Sequence, residues 1–438
     1  MTTTMFKKSL IAATIALATG QVHAAAFQLN EHSASGLGRA YAGEAAIADN
    51  ASVLARNPAA MTTFDKMTFS VSGTYIQPDV DVNGAVNMTD GNGNKLAKMS
   101  DSSESGIAPS AFVPATYFIQ PINDKLAWGI GLFSNYGLST EYPKNFPAGA
   151  AAGDTELVTF NINPNIAYRL NEHFSVGAGI NAVYGEAELN RYAGMLAPGL
   201  QAKTGIPHST DTAISHMKGD TWGFGWNVGT LYEVNENNRF ALTYRSQVNM
   251  SFDGDYKGLS SKYNTVDGNL KLDLPAQAEF AGYHRLNQQF AVHYSVNWTD
   301  WSAFQELKAT SSQCNSTDGA GVCLYKPEKF KDSTRYSIGG TWYINPAWEA
   351  RMGFAYDNSP IEAEYRSLSI PDSDRIWYSA GATYHINTDM SVDFGMAYLD
   401  GKEVDVNEGL TGHTDKVRWQ GTSHGNAFLA SAQFNMKF

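Results

Sequence analysis

Apolar and polar residues alternate with a period of two along most of the chain after residue 66, the pattern of strands with one apolar face. Residues 158–168 place Val, Phe, Ile, Pro, Ile and Tyr on one face and Thr, Asn and Ala on the other. Residues 222–229 alternate large apolar residues with Gly and Asn. Because the second face is small or polar, it suits the lining of a lumen, and the apolar face suits lipid.

Fourteen segments carry this alternation. They lie near 67–77, 110–120, 125–135, 156–169, 174–185, 222–233, 239–248, 269–283, 290–300, 333–344, 348–357, 375–386, 390–399 and 426–438. The connections alternate between short turns and long polar loops. The short turns are 121–125, 170–173, 234–238, 284–289, 345–347 and 387–389, and the long loops lie near 78–109, 136–155, 186–221, 249–268, 301–332, 358–374 and 400–425. We therefore predict an all-β, 14-stranded antiparallel transmembrane β-barrel of the bacterial outer membrane, with the short turns in the periplasm.

The N-terminal residues do not follow the alternation. Lys7 and Lys8 precede an apolar run at 10–17 and a small-residue ending at Ala24, which predicts a signal peptide at residues 1–24. Residues 25–66 are rich in Gly, Ala, Ser and Asn. Because a barrel of this size would otherwise be an open pore, we predict that this segment is a compact hatch that plugs the barrel, residues 67–438.

The composition supports a membrane barrel and argues against nucleic acid as a partner. Aromatic residues make up 12% of the chain and glycines number 40, as expected for interface girdles and small inward positions. The last predicted strand ends in Phe438 and resembles an outer-membrane assembly signal. A formal net charge of −12 leaves no basic stripe for nucleic acid.

The sequence predicts no catalytic, cofactor or metal site. Its ten histidines form no clustered ligand spacing, and no serine sits in a Gly-x-Ser-x-Gly elbow, so we expect a protein that is not an enzyme. Cys314 and Cys323 lie nine positions apart in a polar stretch. In an exported protein such a pair predicts a disulfide that closes a loop.

Several motifs resemble the FadL/TodX family of outer-membrane transporters for long-chain fatty acids and hydrophobic compounds. In the hatch they are AFQLNE at 26–31, SGLGRAYAGE at 35–44, AD at 48–49 and RNPA at 56–59. In the barrel they are SNYGL at 134–138, NAVY at 181–184, WGFGWN at 222–227, ALTYRS at 241–246 and SIPD at 369–372. The resemblance covers the whole mature chain and implies a hatch-plugged barrel with a lateral opening.

The resemblance also implies a ligand site. Phe27, Leu189 and Met217 would line the pocket for the hydrophobic tail, and Arg191 and Lys326 would pair with a carboxylate, because a buried carboxylate needs a cation. The residues alone leave another interpretation of Arg191 open, a solvated charge at the base of a loop. The unusual cysteine-bearing loop makes the assignment of Lys326 less direct.

Further positions are implied for gating and capture. Asn57, Pro58 and Ala59 would form a movable hatch turn, although they also fit a simple rigid turn. A kink at Asn135, Tyr136 and Gly137, together with Gly229 as a small neighbour, would form the lateral opening. Both glycines also fit positions that face the lumen and need no large side chain. Four apolar residues of a polar loop would form a capture groove together with the loop near 249–268. They are Met195, Leu196, Leu200 and Ile206.

These features predict passive, laterally directed uptake of long-chain fatty acids by a monomer surrounded by outer-membrane lipid and lipopolysaccharide. The same route could instead serve other hydrophobic compounds such as aromatic hydrocarbons, for which the cation pair would be dispensable. An outer-membrane phospholipase would need a nucleophile constellation that the sequence lacks. A general porin conflicts with the hatch.

Overall fold

The computed structural model describes residues 26–90, 93–412 and 415–438. The predicted signal peptide, residues 1–24, lies outside the described residues. Twenty-one strands form one continuous sheet. They are β1 (Thr68–Thr89), β2 (Lys95–Asp101), β3 (Ala111–Pro121), β4 (Leu126–Phe133), β5 (Gly137–Thr140), β6 (Thr155–Arg169), β7 (Phe174–Tyr192), β8 (Ala213–Asn235), β9 (Asn238–Arg245), β10 (Val248–Gly258), β11 (Val266–Leu274), β12 (Gln277–Arg285), β13 (Phe290–Thr299), β14 (Glu306–Ser316), β15 (Gly319–Pro327), β16 (Ser333–Asn345), β17 (Trp348–Asp357), β18 (Arg375–His385), β19 (Met390–Gly401), β20 (Val404–Gly409) and β21 (Val417–Lys437).

The wall of the barrel consists of fourteen strands that pair antiparallel with their neighbours. Their order around the wall is β1, β3, β4, β6, β7, β8, β9, β12, β13, β16, β17, β18, β19 and β21. The barrel closes where β1 pairs with β21, from Thr68↔Lys437 to Met88↔Val417. The predicted fourteen-stranded, all-β barrel is therefore confirmed.

The two faces of the wall differ as the alternation predicts. On β8 the side chains of Trp222, Phe224 and Trp226 are exposed on the outer face, whereas Asn227 is buried inside. Similar exposed aromatic and aliphatic residues occur all around the outer wall, which gives lipid an apolar surface. Among the described residues, no helix is long and apolar enough to cross a membrane.

The loop end of the barrel contains more β-structure than the sequence predicts. The segment predicted as one strand at 269–283 is two strands, β11 and β12, which are separated at Pro275 and Ala276. Proline lacks the N–H that a residue of a central strand donates to its ladder. The Pro275 carbonyl accepts a hydrogen bond from the Tyr136 hydroxyl. β11 leaves the wall and pairs with β10 and β14. The prediction of a single wall strand was wrong here.

Short helices occur in the hatch and in the loops. The hatch has one-turn α-helices at Ala34–Leu37 and Glu44–Ile47 and 3-10 helices at Ala51–Ala55 and Pro58–Thr63. The loops have an α-helix at Ala197–Thr204 and 3-10 helices at Gly194–Leu196, Leu259–Ser261 and Trp301–Ala303. Nearly all hatch residues up to Ala60 are buried, so this segment fills the lumen.

Buried charges and hydrogen bonds fix the hatch. Arg39 is 1% exposed and forms ion pairs of 2.9 Å with both Glu44 and Asp49. Two wall arginines reach inward to hatch carbonyls: Arg335 donates to Ala40, and Arg245 donates to Ala55, each at 2.8 Å. Since a buried charge or backbone group without a partner is costly, these contacts favour one docked position of the hatch.

Close backbone approach between hatch and wall requires glycine. Gly177 of β7 lies directly opposite Gly229 of β8. A Cβ atom added at Gly229 would lie 2.1 Å from Asn57 Oδ1, and one at Gly177 would lie 2.4 Å from the Ala59 nitrogen. The predicted hatch turn therefore packs against Gly177 and Gly229, which together form a glycine patch of the wall.

We expect Gly229→Ala to loosen the hatch, because the added methyl group overlaps Asn57 and overpacking of this kind costs about 1–3 kcal/mol. Planar-bilayer recordings should show a higher ion conductance than for the wild type. Gly199→Ala is the matched control, because a Cβ at Gly199 meets nothing within 4 Å. Equal conductance of both variants and the wild type would contradict this role of the glycine patch.

Candidate functional site

An aromatic pocket surrounds Phe27 near the start of the described chain. The Phe27 ring lies 4.5 Å from the Trp301 ring, 5.4 Å from that of Phe304 and 6.1 Å from that of Tyr136, all edge to face. Phe330 closes the group by contacting Trp301 and Phe304. In edge-to-face contacts the edge of one ring packs against the face of the next, so the Phe27 ring packs closely between its neighbours. Phe27 therefore occupies an apolar pocket that another apolar group could fill.

The apolar pocket extends upward along the inner wall. Leu189 of β7 and Met217 of β8 are direct cross-strand partners and both are buried, Met217 in the same apolar cluster as Phe27. Residues of β10 and β11, among them Met250, Phe252 and Leu272, extend the cluster. Of the predicted tail pocket residues, Phe27 and Met217 therefore share one apolar cluster, and Leu189 lies opposite Met217 on the neighbouring strand.

The third wall strand is interrupted at the predicted kink. β4 ends at Phe133, β5 begins at Gly137, and side chains bond some of the freed backbone groups. Ser134 donates to the Thr159 carbonyl at 2.5 Å, and Thr159 donates to the Tyr136 carbonyl at 2.6 Å. These bonds hold the wall in its kinked form.

The hatch pairs with the kink through its own backbone. The Leu29 N–H donates to the Asn135 carbonyl at 2.7 Å, and the Gly137 N–H donates to the Phe27 carbonyl at 2.8 Å. Gln28 and Tyr136 form the corresponding β-bridge. The segment that places Phe27 in the aromatic pocket is thus the same segment that completes the wall at the kink.

The kink leaves a window in the wall. β3 pairs with β4 only from Thr116 to Pro121, and β5 pairs with β6 on its other side. In the part of the chain that the structure describes, residues 111–115 of β3 and 137–140 of β5 form no strand pairing with each other. The hydrogen bond from the Glu141 N–H to the Ile107 carbonyl, at 2.8 Å, closes the window on the loop side.

Arg191 and Lys326 converge on one serine above the apolar pocket. The Ser369 hydroxyl oxygen accepts from Arg191 Nη2 at 2.8 Å and lies 3.4 Å from Lys326 Nζ. Arg191 is 5% exposed, and its other partners are Thr155 Oγ1 and the carbonyls of Asp154 and Asn190. Among the described residues, Arg191 has no carboxylate at ion-pair distance. The guanidinium is thus buried with neutral partners only.

Two glutamates accompany the cation pair. Glu408 of β20 accepts from Lys326 at 2.7 Å and also accepts from the Leu368 N–H at 2.7 Å. Glu328 lies 3.9 Å from Lys326 Nζ and is 1% exposed. The pKa of Glu328 is raised to about 7 because burial, the largest influence, and the charge of Glu408 together outweigh the opposing effects of Lys326 and Arg191. Sequence reasoning missed Ser369, Glu328 and Glu408, and only the SIPD motif at 369–372 pointed to one of them.

A groove of about 640 Å³ leads from the loop surface to the cation pair. Leu200 lines it together with Leu259, from the loop near 249–268, and Arg191 and Lys326 also border it. Met195 and Leu196 instead pack against an apolar cluster of other loops, and Ile206 is exposed. Of the apolar residues predicted for a capture groove, Leu200 is the one that lines this groove.

The predicted disulfide between Cys314 and Cys323 is present. It joins β14 to β15, whose hairpin forms one wall of the groove. The Cys323 carbonyl accepts hydrogen bonds from Ser260 at 2.8 Å and from Tyr256 at 3.1 Å. The disulfide thus fixes the hairpin that carries Lys326.

The predicted gating residues lie apart from the kink. Asn57 donates to the Ala45 and Thr230 carbonyls, and Pro58 and Ala59 lie against the glycine patch of β7 and β8. Gly229 accordingly contacts the hatch turn, whereas the window lies between β3 and β5. The structure brings Gly229 next to Asn57, not next to Asn135, Tyr136 and Gly137.

Comparison with known proteins identifies the family. The family model described as "Outer membrane protein transport protein (OMPP1/FadL/TodX)" matches residues 15–438. The chain belongs to this family. It is 45% identical to the long-chain fatty acid transport protein of Escherichia coli O6:H1 over 461 residues, which cover 99% of each chain.

Solved structures of the OMPP1/FadL/TodX family share the fold. A FadL homologue of Pseudomonas aeruginosa aligns with a TM-score of 0.80 at 23% identity and covers 94% of this chain and 100% of its own. The Pseudomonas putida toluene transporter TodX aligns with a TM-score of 0.67 at 17% identity and covers 95% of this chain and 100% of its own. The protein is thus a β-barrel of the outer membrane, as predicted.

We expect Phe27→Ala to release the hatch segment from the kink, because the truncated side chain loses its contacts with Trp301 and Phe304. Truncation of a buried Phe typically costs about 3–5 kcal/mol. Hydrogen exchange at the Leu29 and Gly137 amides should accelerate at least about tenfold. Phe27→Leu, which keeps much of the volume, should show a smaller effect, and unchanged exchange in Phe27→Ala would argue against coupling between pocket and kink.

Proposed function

We propose that this protein takes up long-chain fatty acids across the outer membrane by passive, laterally directed diffusion. The observation that carries the proposal is the position of Arg191, a buried cation without an acidic partner among the described residues, at the end of an apolar interior. A long-chain fatty acid has the matching shape, one carboxylate on a long apolar chain. Its relatives that carry the name long-chain fatty acid transport protein support the same conclusion.

The proposed head-group site consists of Arg191, Lys326 and Ser369. A carboxylate that leaves water must be paired with a cation and hydrogen-bonded, and Arg191 offers guanidinium donors while Ser369 links it to Lys326. The tail would enter the pocket of Phe27, Leu189 and Met217. Each buried CH₂ group of the tail contributes about 0.8 kcal/mol, so a long chain gains far more than a short one.

The proposed route runs from the groove lined by Leu200, past the cation pair and into the aromatic pocket. A tail that takes the place of the Phe27 ring would withdraw the hatch segment from the kink. The Asn135 carbonyl and the Gly137 N–H would then lose their hatch partners, and the window at 137–140 would be free to pass the ligand sideways. Lateral release into the membrane avoids the transfer of the apolar tail into water, which is unfavourable.

Further parts of the proposal concern the surroundings of the barrel. The loops face outward and the short turns face the periplasm, as is usual for such barrels. The protein acts as a monomer, its outer surface contacts lipid and lipopolysaccharide, and transport involves no catalytic step. Movement of the turn Asn57–Pro58–Ala59 on the glycine patch is the proposed hatch displacement.

A second candidate function is the uptake of aromatic hydrocarbons. The edge-to-face pocket of Phe27, Trp301 and Phe304 favours it, since a flat ring would fit the same contacts. Structural relatives include a toluene transporter. This function would need no cation, so the contribution of Arg191 to binding distinguishes the two candidates.

We expect Arg191→Ala to weaken oleate binding at least about tenfold, because the loss of a charge-assisted hydrogen-bonding partner of a buried anion costs at least about 1.5–3 kcal/mol. Equilibrium binding of radiolabelled oleate to the detergent-purified protein measures the effect, and radiolabelled toluene serves as the uncharged comparison. Lys331→Ala is the matched control, because Lys331 is an exposed cation that pairs with Glu362.

Equal oleate binding by the wild type and Arg191→Ala would remove the proposed carboxylate site. Binding of toluene but not oleate by the wild type would favour the second candidate. Oleate binding that Arg191→Ala weakens and Lys331→Ala leaves unchanged is the result we expect.

A further inference from the structure

Arg245, the last residue of β9, is a buried cation that no step of the proposed route uses. It is 9% exposed, and it donates hydrogen bonds to Asn181 Oδ1 and, at 2.8 Å, to the Ala55 carbonyl. Among the described residues, no carboxylate lies at ion-pair distance from it. Since a buried charge with neutral partners only is costly, the contact with the hatch does not by itself explain an arginine here.

A small polar cavity lies beside Arg245, between the hatch and the wall. Its volume is about 20 Å³, which is room for about one water molecule. The charged residues that line it are Arg245, Arg56 and Glu279, and Gln28 and Thr299 are among the polar ones. Arg56 Nη1 lies 3.8 Å from Glu279 Oε2. The carboxylate of the cavity is thus matched by Arg56, and the positive charge of Arg245 is left over.

One hatch segment separates this cavity from the aromatic pocket. Gln28 lines the cavity and accepts a hydrogen bond from Thr299 at 3.0 Å, whereas the ring of the preceding Phe27 lies in the pocket. Gln28 also forms the β-bridge with Tyr136 at the kink. Withdrawal of Phe27 in the proposed route would therefore move Gln28 as well, and would open the cavity to the pocket and to the window.

A chain of hydrogen bonds leads from Arg245 to the kink. Arg245 and Asn161 both donate to Asn181 Oδ1, Asn161 at 2.9 Å. Asn161 also donates to Asn135 Oδ1, at 3.0 Å. These amides lie on the inner face of β6 and β7 and end at the edge of the window. A head group that follows its tail toward the window therefore comes within reach of a polar surface with Arg245 at its far end.

We propose that Arg245 is a second carboxylate site, which holds the fatty-acid head group after it leaves Arg191 and while the tail passes through the window. The proposal rests on the proposed fatty-acid function and deepens it. A carboxylate that crossed this interior without a cation would be strongly disfavoured. Arg245 offers guanidinium donors and an uncompensated charge, and the cavity that Gln28 vacates offers the space.

We expect Arg245→Gln to slow oleate uptake at least about tenfold, because the moving carboxylate loses its charged partner. Equilibrium binding of oleate should change less than about twofold, since the separate site at Arg191 is intact. Oleyl alcohol has the same tail without a charge and should enter at the wild-type rate. Arg245→Lys should restore much of the oleate rate, because lysine keeps the charge.

The test measures initial rates of uptake of radiolabelled oleate and oleyl alcohol by intact cells. The cells lack any other transporter of this kind and make the full-length wild type or a variant at equal levels. The quantity compared is the ratio of the oleate rate to the alcohol rate, which cancels differences in protein amount. Binding of radiolabelled oleate to the detergent-purified proteins gives the equilibrium affinity.

Arg335→Gln is the matched control for loss of a hatch contact. Arg335 of β16 is buried and donates to the Ala40 carbonyl at 2.8 Å, much as Arg245 donates to that of Ala55. It lies seven strands from β4 in the wall of fourteen, on the far side of the barrel from the window. The rate ratio should therefore fall in Arg245→Gln and not in Arg335→Gln.

Gln28→Glu tests the same cavity without changing Arg245. The new carboxylate would lie in the cavity, compete with the head group for Arg245 and leave the contact of Arg245 with Ala55 in place. We expect it to lower the ratio of oleate to alcohol uptake as well. If Arg245→Gln does not reach the outer membrane, the ratio for Gln28→Glu decides.

A wild-type uptake ratio in Arg245→Gln would overturn the proposal. An equal fall of the ratio in Arg245→Gln and Arg335→Gln would also overturn it, because Arg245 would then only support the hatch. So would a tenfold loss of equilibrium oleate binding in Arg245→Gln, which would make Arg245 part of the first site. Failure of the proposed function itself has a different signature, namely no oleate binding or uptake by the wild type.

Discussion

The wall of this barrel must satisfy its own backbone, because the hydrocarbon region of a membrane offers no hydrogen-bond partners. Most of the wall does so by strand pairing. At the kink it does not, and the missing partners come from Ser134, from Thr159 and from the hatch residues Phe27 and Leu29. The hatch is thus both a plug and a part of the wall. In the proposed route, a ligand that displaces Phe27 would act on the wall without touching it.

This shared role explains why the site combines groups from distant parts of the chain. The apolar pocket needs the hatch, the 3-10 helix Trp301–Ala303 and the upper part of β7 and β8. The proposed head-group site needs β7, the disulfide-closed hairpin and the loop that carries Ser369. In this proposed site, Glu408 and Glu328 lie close to Lys326 and offset part of the positive charge of the cation pair.

The barrel could be predicted from the sequence because a period of two with outward aromatics is a strong signal for lipid-facing strands. The prediction from alternation was wrong at 269–283. The residues on both sides of Pro275 alternate, but Pro275 breaks the ladder and β11 turns away from the wall. Arg191 and Lys326 came from resemblance, since an isolated charge at a loop base has no distinctive pattern. Ser369 was indicated only as part of the SIPD motif, and Glu328 and Glu408 could not be found, because the three residues come from separate segments that only folding brings together.

The seam between β1 and β21 closes the barrel around the hatch. The hatch fills the lumen and is joined directly to β1 by Asp65 and Lys66, and it is held inside by inward-pointing arginines from several strands. A finished cylinder would not admit so bulky a segment with its ion pairs formed. If the hatch docks before β1 and β21 pair, the curving sheet closes around a segment that is already in place. The segment that plugs the mature barrel would then also guide the curvature of the sheet during assembly.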